Sequence, residues 1–166
     1  PDTLISVGNP ALLYDSQEQY DKVEPLYLRD LEGSTQTLGT DHPNTLTAID
    51  NLAGFYCEQG RDEEAEPLRK QAVEILDRAI GPEHTATAVA RYRHALCLKR
   101  LERFTEAVKV FQSVLTAEIE IYGAGDPELT MTHWNLAVCL RKLGQPTKAA
   151  EHRRCCWEIE ISNDGA

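Results

Sequence analysis

The chain has 166 residues, 42% hydrophobic and 27% charged, and a formal net charge of -10. That apolar share can bury one domain or one uninterrupted array and excludes a disordered tail. The negative charge excludes nucleic acid and anionic membrane as global partners, because the long-range field repels both.

The sequence shows no apolar run of about 18 residues and no basic segment leading an apolar one at Pro1-Asp2-Thr3-Leu4, so neither a membrane span nor a signal peptide is visible. The missing start Met suggests a trimmed or excised piece. In chain order, Asn9, Ala11, Tyr14 and Glu24-Pro25-Leu26 reappear as Asn51, Ala53, Tyr56 and Glu66-Pro67-Leu68, a shift of 42 residues. Pro10 stands where the next copy has Leu52 and is expected to delay or kink the first helix.

From Leu38 the pattern becomes a turn and two helices. Leu46, Ile49, Leu52, Ala53 and Tyr56 mark one apolar face, Ala65, Leu68, Ala72 and Ile75 another, and Gln59-Gly60-Arg61 joins them as a short turn. The same shift carries Asn51-Leu52-Ala53 onto Arg93-His94-Ala95 and Asn135-Leu136-Ala137, and Gly39 onto Gly81 and Gly123. Four units follow, about 1–38, 39–80, 81–122 and 123–164, read as a single array over 1–166. One such helix pair cannot bury its apolar face alone, so the units must stack. The recurring Ala53 and Ala65 are expected at the closest helix crossing, where a larger side chain would overpack.

Asp41 before Pro43, and Asp126 before Pro127, are expected to cap helix starts. His42 and His84 occupy equivalent places in stacked repeats, too far apart to share one metal ion.

These residues resemble the tetratricopeptide repeat. The form "LGxDHPxT…NLAxxYxxQGxxxEAEPL", carried by Leu38-Gly39, Asp41-His42-Pro43, Thr45, Asn51-Leu52-Ala53, Tyr56, Gln59-Gly60 and Glu64-Ala65-Glu66-Pro67-Leu68, resembles the repeats of kinesin light chains and of arrays that follow signalling ATPase domains. The resemblance implies an all-α, right-handed superhelical array of antiparallel helix pairs, about four repeats, with a concave groove lined by the first helix of each pair. It also implies groove ligands that combine tryptophan with acidic residues. Arg93-His94 and Thr85 depart from the pattern, and Arg93 lacks the amide that contacts ligand backbone in kinesin-light-chain repeats.

Off the packed face, the first helix of the second unit carries a stripe of Thr47, Asp50, Asn51, Gly54, Cys57 and Glu58. Carried forward, the stripe turns large, apolar and basic: Val89, Tyr92, Arg93, Leu96, Lys99 and Arg100, then Met131, Trp134, Asn135, Val138, Arg141 and Lys142. Asn51 and these later residues, Val89 apart, form the candidate peptide site, with Tyr92, Leu96, Met131, Trp134 and Val138 as an apolar floor ringed by cations. It suits an acidic peptide with an aromatic or aliphatic anchor. The alternatives stay open: the aromatics fill gaps between repeats, the cations complement helix dipoles, or the groove is filled by the protein itself, a second copy or a flanking segment.

Asp62-Glu63-Glu64, Glu66, Glu74, Asp77, Glu118, Glu120, Glu158 and Glu160 are expected on solvated outer faces. The last helix places Ala149, His152, Arg153, Cys156 and Ile159 where the previous unit has Ala107, Val110, Phe111, Val114 and Ala117. This more polar set is expected to face solvent as a terminal cap, with the array ending there and an excision point at the N-terminal edge.

No phosphate loop, serine elbow, zinc pairing or cofactor motif is present, and Gly123-Ala124-Gly125 reads as the inter-repeat turn. The odd five cysteines read as reduced thiols of a cytoplasmic compartment, with Cys97 and Cys139 lining the core. The resulting expectation is a non-enzymatic interaction scaffold. The alternative is a regulatory or self-associating arm of a larger signalling ATPase.

Overall fold

The computed structural model describes residues 20–164; the expected first helix of the opening unit, with Asn9, Pro10, Ala11 and Tyr14, lies outside the described residues. Among the described residues there are seven helices and no strand: α1 (Tyr20–Leu38), α2 (Pro43–Glu58), α3 (Asp62–Ala79), α4 (Thr85–Arg100), α5 (Phe104–Tyr122), α6 (Leu129–Lys142) and α7 (Pro146–Asp164). The protein is an all-α helical repeat array, and its helix boundaries keep the sequence period. α2, α4 and α6 end at Glu58, Arg100 and Lys142, while α3, α5 and α7 start at Asp62, Phe104 and Pro146.

The chain divides into two compact units, Pro1–Ile75 and Leu76–Ala166, with the boundary near the C-terminal end of α3. In the first, α1 packs on α2. Ile49, Ala72 and Ile75 form a buried cluster flanked by Leu31, Leu46 and Leu68, so α1, α2 and α3 share one apolar core. Glu24 of α1 is a polar hub beside it. It accepts from the Tyr56 hydroxyl at 3.0 Å and from Arg61 Nη1 and Nη2 at 2.5 and 2.9 Å, and the Arg61 guanidinium also lies over the Tyr56 ring. The Arg61 hydrogen bonds hold the Glu24 carboxyl below its ordinary range.

In the second unit α4 packs on α5, α5 on α6 and α6 on α7. Ala95, Leu98, Ala107, Phe111, Leu136, Cys139, Leu140 and Ala149 belong to one buried cluster. The paired alanines Ala53 and Ala65, Ala95 and Ala107, and Ala137 and Ala149 are all buried. All five cysteines are free thiols, and Cys97 and Cys139 are buried.

The helix starts correct one expectation. The capping acceptor at α2 is His42, not Asp41: His42 Nδ1 accepts from the Asn44 backbone N–H at 3.1 Å, and His84 Nδ1 accepts from Ala86 N–H at 3.1 Å. One period later Asp126 Oδ1 accepts from Glu128 N–H at 2.9 Å. Three residues in equivalent register thus make the same bond to the residue two places on, with imidazole and carboxylate exchanged. Buried Thr45 and Thr87 brace the first two starts, their hydroxyls donating to the Gly39 and Gly81 carbonyls at 2.7 Å.

The last helix corrects another. Ala149, Cys156 and Ile159 are buried rather than presented to solvent, and the exposed apolar residues of α7 are Trp157 and Ile161. Between α6 and α7, His133 of α6 meets His152 of α7, their Nδ1 atoms 2.8 Å apart. Two periods earlier the same pair of positions holds Ile49 and Leu68. Burial lowers the pKa of both imidazoles, and the charge of each neighbour matters less: His152 lowers His133 further, while Glu151 partly offsets the effect at His152.

Between the helices of a pair the chain adopts a left-handed conformation that favours glycine. Gly60 and Gly144 have φ of 73° and 71°, but the equivalent residue between α4 and α5 is Glu102, at 57°. A side chain with a Cβ is strained there. Glu102→Gly is therefore expected to stabilise the protein by about 0.5–1 kcal/mol, read as a higher urea midpoint at constant slope.

The histidine pair carries a pH prediction. Because both folded-state pKa values lie below the ordinary 6.5, the unfolded chain takes up protons first as pH falls. Stability should therefore decline below about pH 6.5, and the pair should have no effect well above it. The double change His133→Ile and His152→Leu restores the earlier pair and should flatten the stability slope between about pH 7 and pH 5. Parallel slopes for the two proteins would exclude the pair as its source.

Candidate functional site

The first helices of the two C-terminal pairs, α4 and α6, bring part of the expected site together. Tyr92, Arg93 and Leu96 from α4 and Met131 from α6 line one cavity of roughly 380 Å³ within the second unit. Thr85, Ala88, Val89, Glu118, Tyr122, Glu128 and Thr132 complete its wall. Tyr92 is half-buried, and its ring meets Phe111 edge to face with centroids 5.6 Å apart. It is both a gap filler of the α4–α5 contact and a wall of the cavity.

Asn135 sits at the centre of a hydrogen-bonded group. It is 2% exposed; its Nδ2 donates to the Tyr92 hydroxyl at 2.9 Å and to the Met131 carbonyl at 2.8 Å, and its Oδ1 accepts from Lys99 Nζ at 2.5 Å. Its amide is thus occupied in tying α4 to α6, which locates Tyr92 and Lys99. Burial pushes the Tyr92 hydroxyl up from its ordinary pKa, and the Asn135 bond only partly offsets this.

The remaining expected residues lie elsewhere. Arg100 at the end of α4, and Arg141 and Lys142 at the end of α6, are exposed and line no wall of this cavity. Val138 is half-buried, and Trp134 is 54% exposed. Asn51 belongs to α2 in the first unit and is half-buried. There the position equivalent to Tyr92 is Asp50, which accepts from Arg69 Nη1. The register that holds an ion pair in one repeat therefore holds an aromatic pair in the next.

Two acidic residues expected on solvated outer faces are not there: Asp62 is buried at the start of α3, and Glu118 turns into the cavity. Glu118 is half-buried and lines the cavity rather than facing solvent, and burial raises its carboxyl above the ordinary range, partly offset by the Thr132 hydroxyl and reinforced by the Glu128 charge. A signal was available: Ala107, Phe111, Val114 and Glu118 follow one another at helical spacings of four, three and four. Thr132, Glu128 and Tyr122 also line the cavity but lie off the single helix face that spacing marks, because the cavity collects side chains from three helices.

The tetratricopeptide repeat family profile matches residues 47–117 and 87–156. The chain belongs to the tetratricopeptide repeat family, whose architecture is that of a protein-interaction scaffold. Among solved structures, the chain is similar to a Podosopora anserina protein described as a kinesin light chain with nearly identical TPR-like repeats, at 22% identity and TM-score 0.88, covering 100% of this chain and 79% of that one. It is also similar to BtubC (BKLC) from P. vanneervenii, at 22% identity and TM-score 0.82, covering 94% of this chain and 62% of that one. The chain is similar in fold to the MamA RS-1 ArsTM double mutant as well, at 17% identity and TM-score 0.71, covering 98% of this chain and 78% of that one. No curated protein matches the sequence. No described helix is long and apolar enough to cross a membrane.

Proposed function

We propose that the chain binds a partner segment, acidic with an aromatic or aliphatic anchor, along the face shared by α4 and α6, in a cytoplasmic setting. Tyr92, Leu96, Met131, Trp134 and Val138 supply the apolar contact, and Arg93, Arg100, Arg141 and Lys142 attract and register the acidic groups. Lys99 and Asn135 brace that face, and Asn51 is its counterpart in the first unit. The observation that supports this reading is the pair Met131 and Trp134, 59% and 54% exposed one turn apart on α6, with Met131 at the cavity that also holds Tyr92 and Leu96. Large side chains left open beside a hollow are where burial by a partner contributes most.

Changing Arg100 and Arg141 to Glu is expected to weaken capture of an acidic, tryptophan-containing peptide by about tenfold or more while the helical circular dichroism stays the same. Unchanged affinity would remove these cations from the interface. Binding should also weaken as salt is raised, since exposed charges are screened.

The regulatory-arm reading, with self-association, draws support from Trp157 and Ile161, exposed on α7 of the same unit as Trp134. Light scattering is expected to give the mass of one chain. A dimer that dissociates in Trp134→Ala would favour self-association over peptide capture.

A further inference from the structure

The cavity between α4, α5 and α6 has two buried polar atoms at its wall whose hydrogen bonding the fold leaves incomplete. Glu118 Oε2 and Thr132 Oγ1 are buried at its wall; the Thr132 hydroxyl faces the Glu118 carboxyl closely enough to lower its pKa, yet neither atom completes a hydrogen bond of full geometry among the described residues. Thr132 is 0% exposed. A buried polar atom without a partner destabilises the folded protein, so each calls for an explanation.

The repeat itself supplies none. One period before Glu118 stands Leu76, and the positions before Thr132 hold Ala90 and Ala48. The same architecture is thus built elsewhere in this chain with apolar side chains at both places. A carboxylate and a hydroxyl have been placed together only here, where the wall opens onto a cavity.

The rest of the lining sets the shape of a complement. Val89, Leu96 and Met131 offer aliphatic surface, and Tyr122 an aromatic one. Two carboxylates, Glu118 and Glu128, outnumber the one cation, Arg93. An anion would be repelled, and a neutral indole or phenol could satisfy one orphan acceptor while leaving the buried carboxylate without a counter-charge. An ammonium or guanidinium on an aliphatic stem answers all of these features, because it lies along the apolar wall and donates to both oxygens.

We infer that this cavity receives the side chain of a lysine or arginine from a partner segment, with its N–H groups donating to Glu118 and Thr132 Oγ1. Combined with the proposed function, on which only this extension rests, the inference gives the partner a charge order. The cavity lies toward the N-terminal ends of α4 and α6, and Arg100, Arg141 and Lys142 lie at their C-terminal ends. From Val89 to Arg100 the helix rises about 16 Å, which an extended chain spans in about five residues. The segment would present one basic residue and, about five positions away, acidic ones.

The test uses the whole chain, labelled with nitrogen-15, and follows amide shifts on titration with n-hexylammonium, 1-hexanol, hexanoate and 3-methylindole at neutral pH. Hexylammonium is expected to shift Val89, Met131 and Thr132 saturably and to bind about tenfold more tightly than hexanol. Glu118→Gln should bring the two within about twofold of each other, with amide dispersion retained as the sign of an intact fold. Lowering the pH should weaken hexylammonium binding as Glu118 takes up a proton, and leave hexanol unaffected. The inference is overturned if hexylammonium gives no saturable shift, if hexanol or 3-methylindole binds as tightly, or if the preference survives in Glu118→Gln. None of these probes carries both an acidic group and an anchor for Arg100 and Arg141, so their failure leaves acidic-peptide capture standing, and the reverse also holds.

Discussion

The structure depends on how closely two helices can approach. Ala53 and Ala65, Ala95 and Ala107, and Ala137 and Ala149 are buried pairs one period apart. A methyl at each position lets the backbones of a pair come together, and anything longer would force strain of about 1–3 kcal/mol. Once the alanines set the crossing, the residues one turn away on either side are committed to the core, as Leu98, Phe111 and Leu140 are. The faces left over are then free to differ between copies.

That division explains what could be read from the sequence. The period, the helix count among the described residues and the turn positions were legible because each is carried by a repeated residue type whose backbone or packing role is local. Gly60 and Gly144 at the tight turns and the alanine pairs are such residues. The helix caps were harder: Asp41 was the obvious acceptor by residue preference, yet the bond belongs to His42, a residue seldom considered for that role. Registering Asp126 against His84 rather than against Glu83 would have exposed this from the sequence alone.

The candidate site was legible only in part, for a different physical reason. Residues from one helix face can be listed by spacing, and Tyr92, Arg93, Leu96 and Met131 do meet at one cavity. The third wall comes from α5, whose Glu118 was assigned to solvent because it is charged. The amide of Asn135 likewise looked ligand-facing by analogy with Asn51, whereas its burial follows from the size of Tyr92 and the reach of Lys99, neither of which spacing can weigh. Charge alone is a poor guide to exposure in a fold where three helices converge.

Asp50 with Arg69, and Tyr92 with Phe111, occupy the same slot of successive helix pairs, the first joining α2 to α3 and the second α4 to α5. One is a charge interaction and the other a contact between ring edges and faces, yet the backbone around both keeps the same period. The slot behaves as a writable position, in which the chemistry can change from copy to copy without disturbing the alanine crossing that holds the frame. An array built this way can acquire a new recognition surface by altering two residues in one repeat, leaving its other repeats and their contacts as they were.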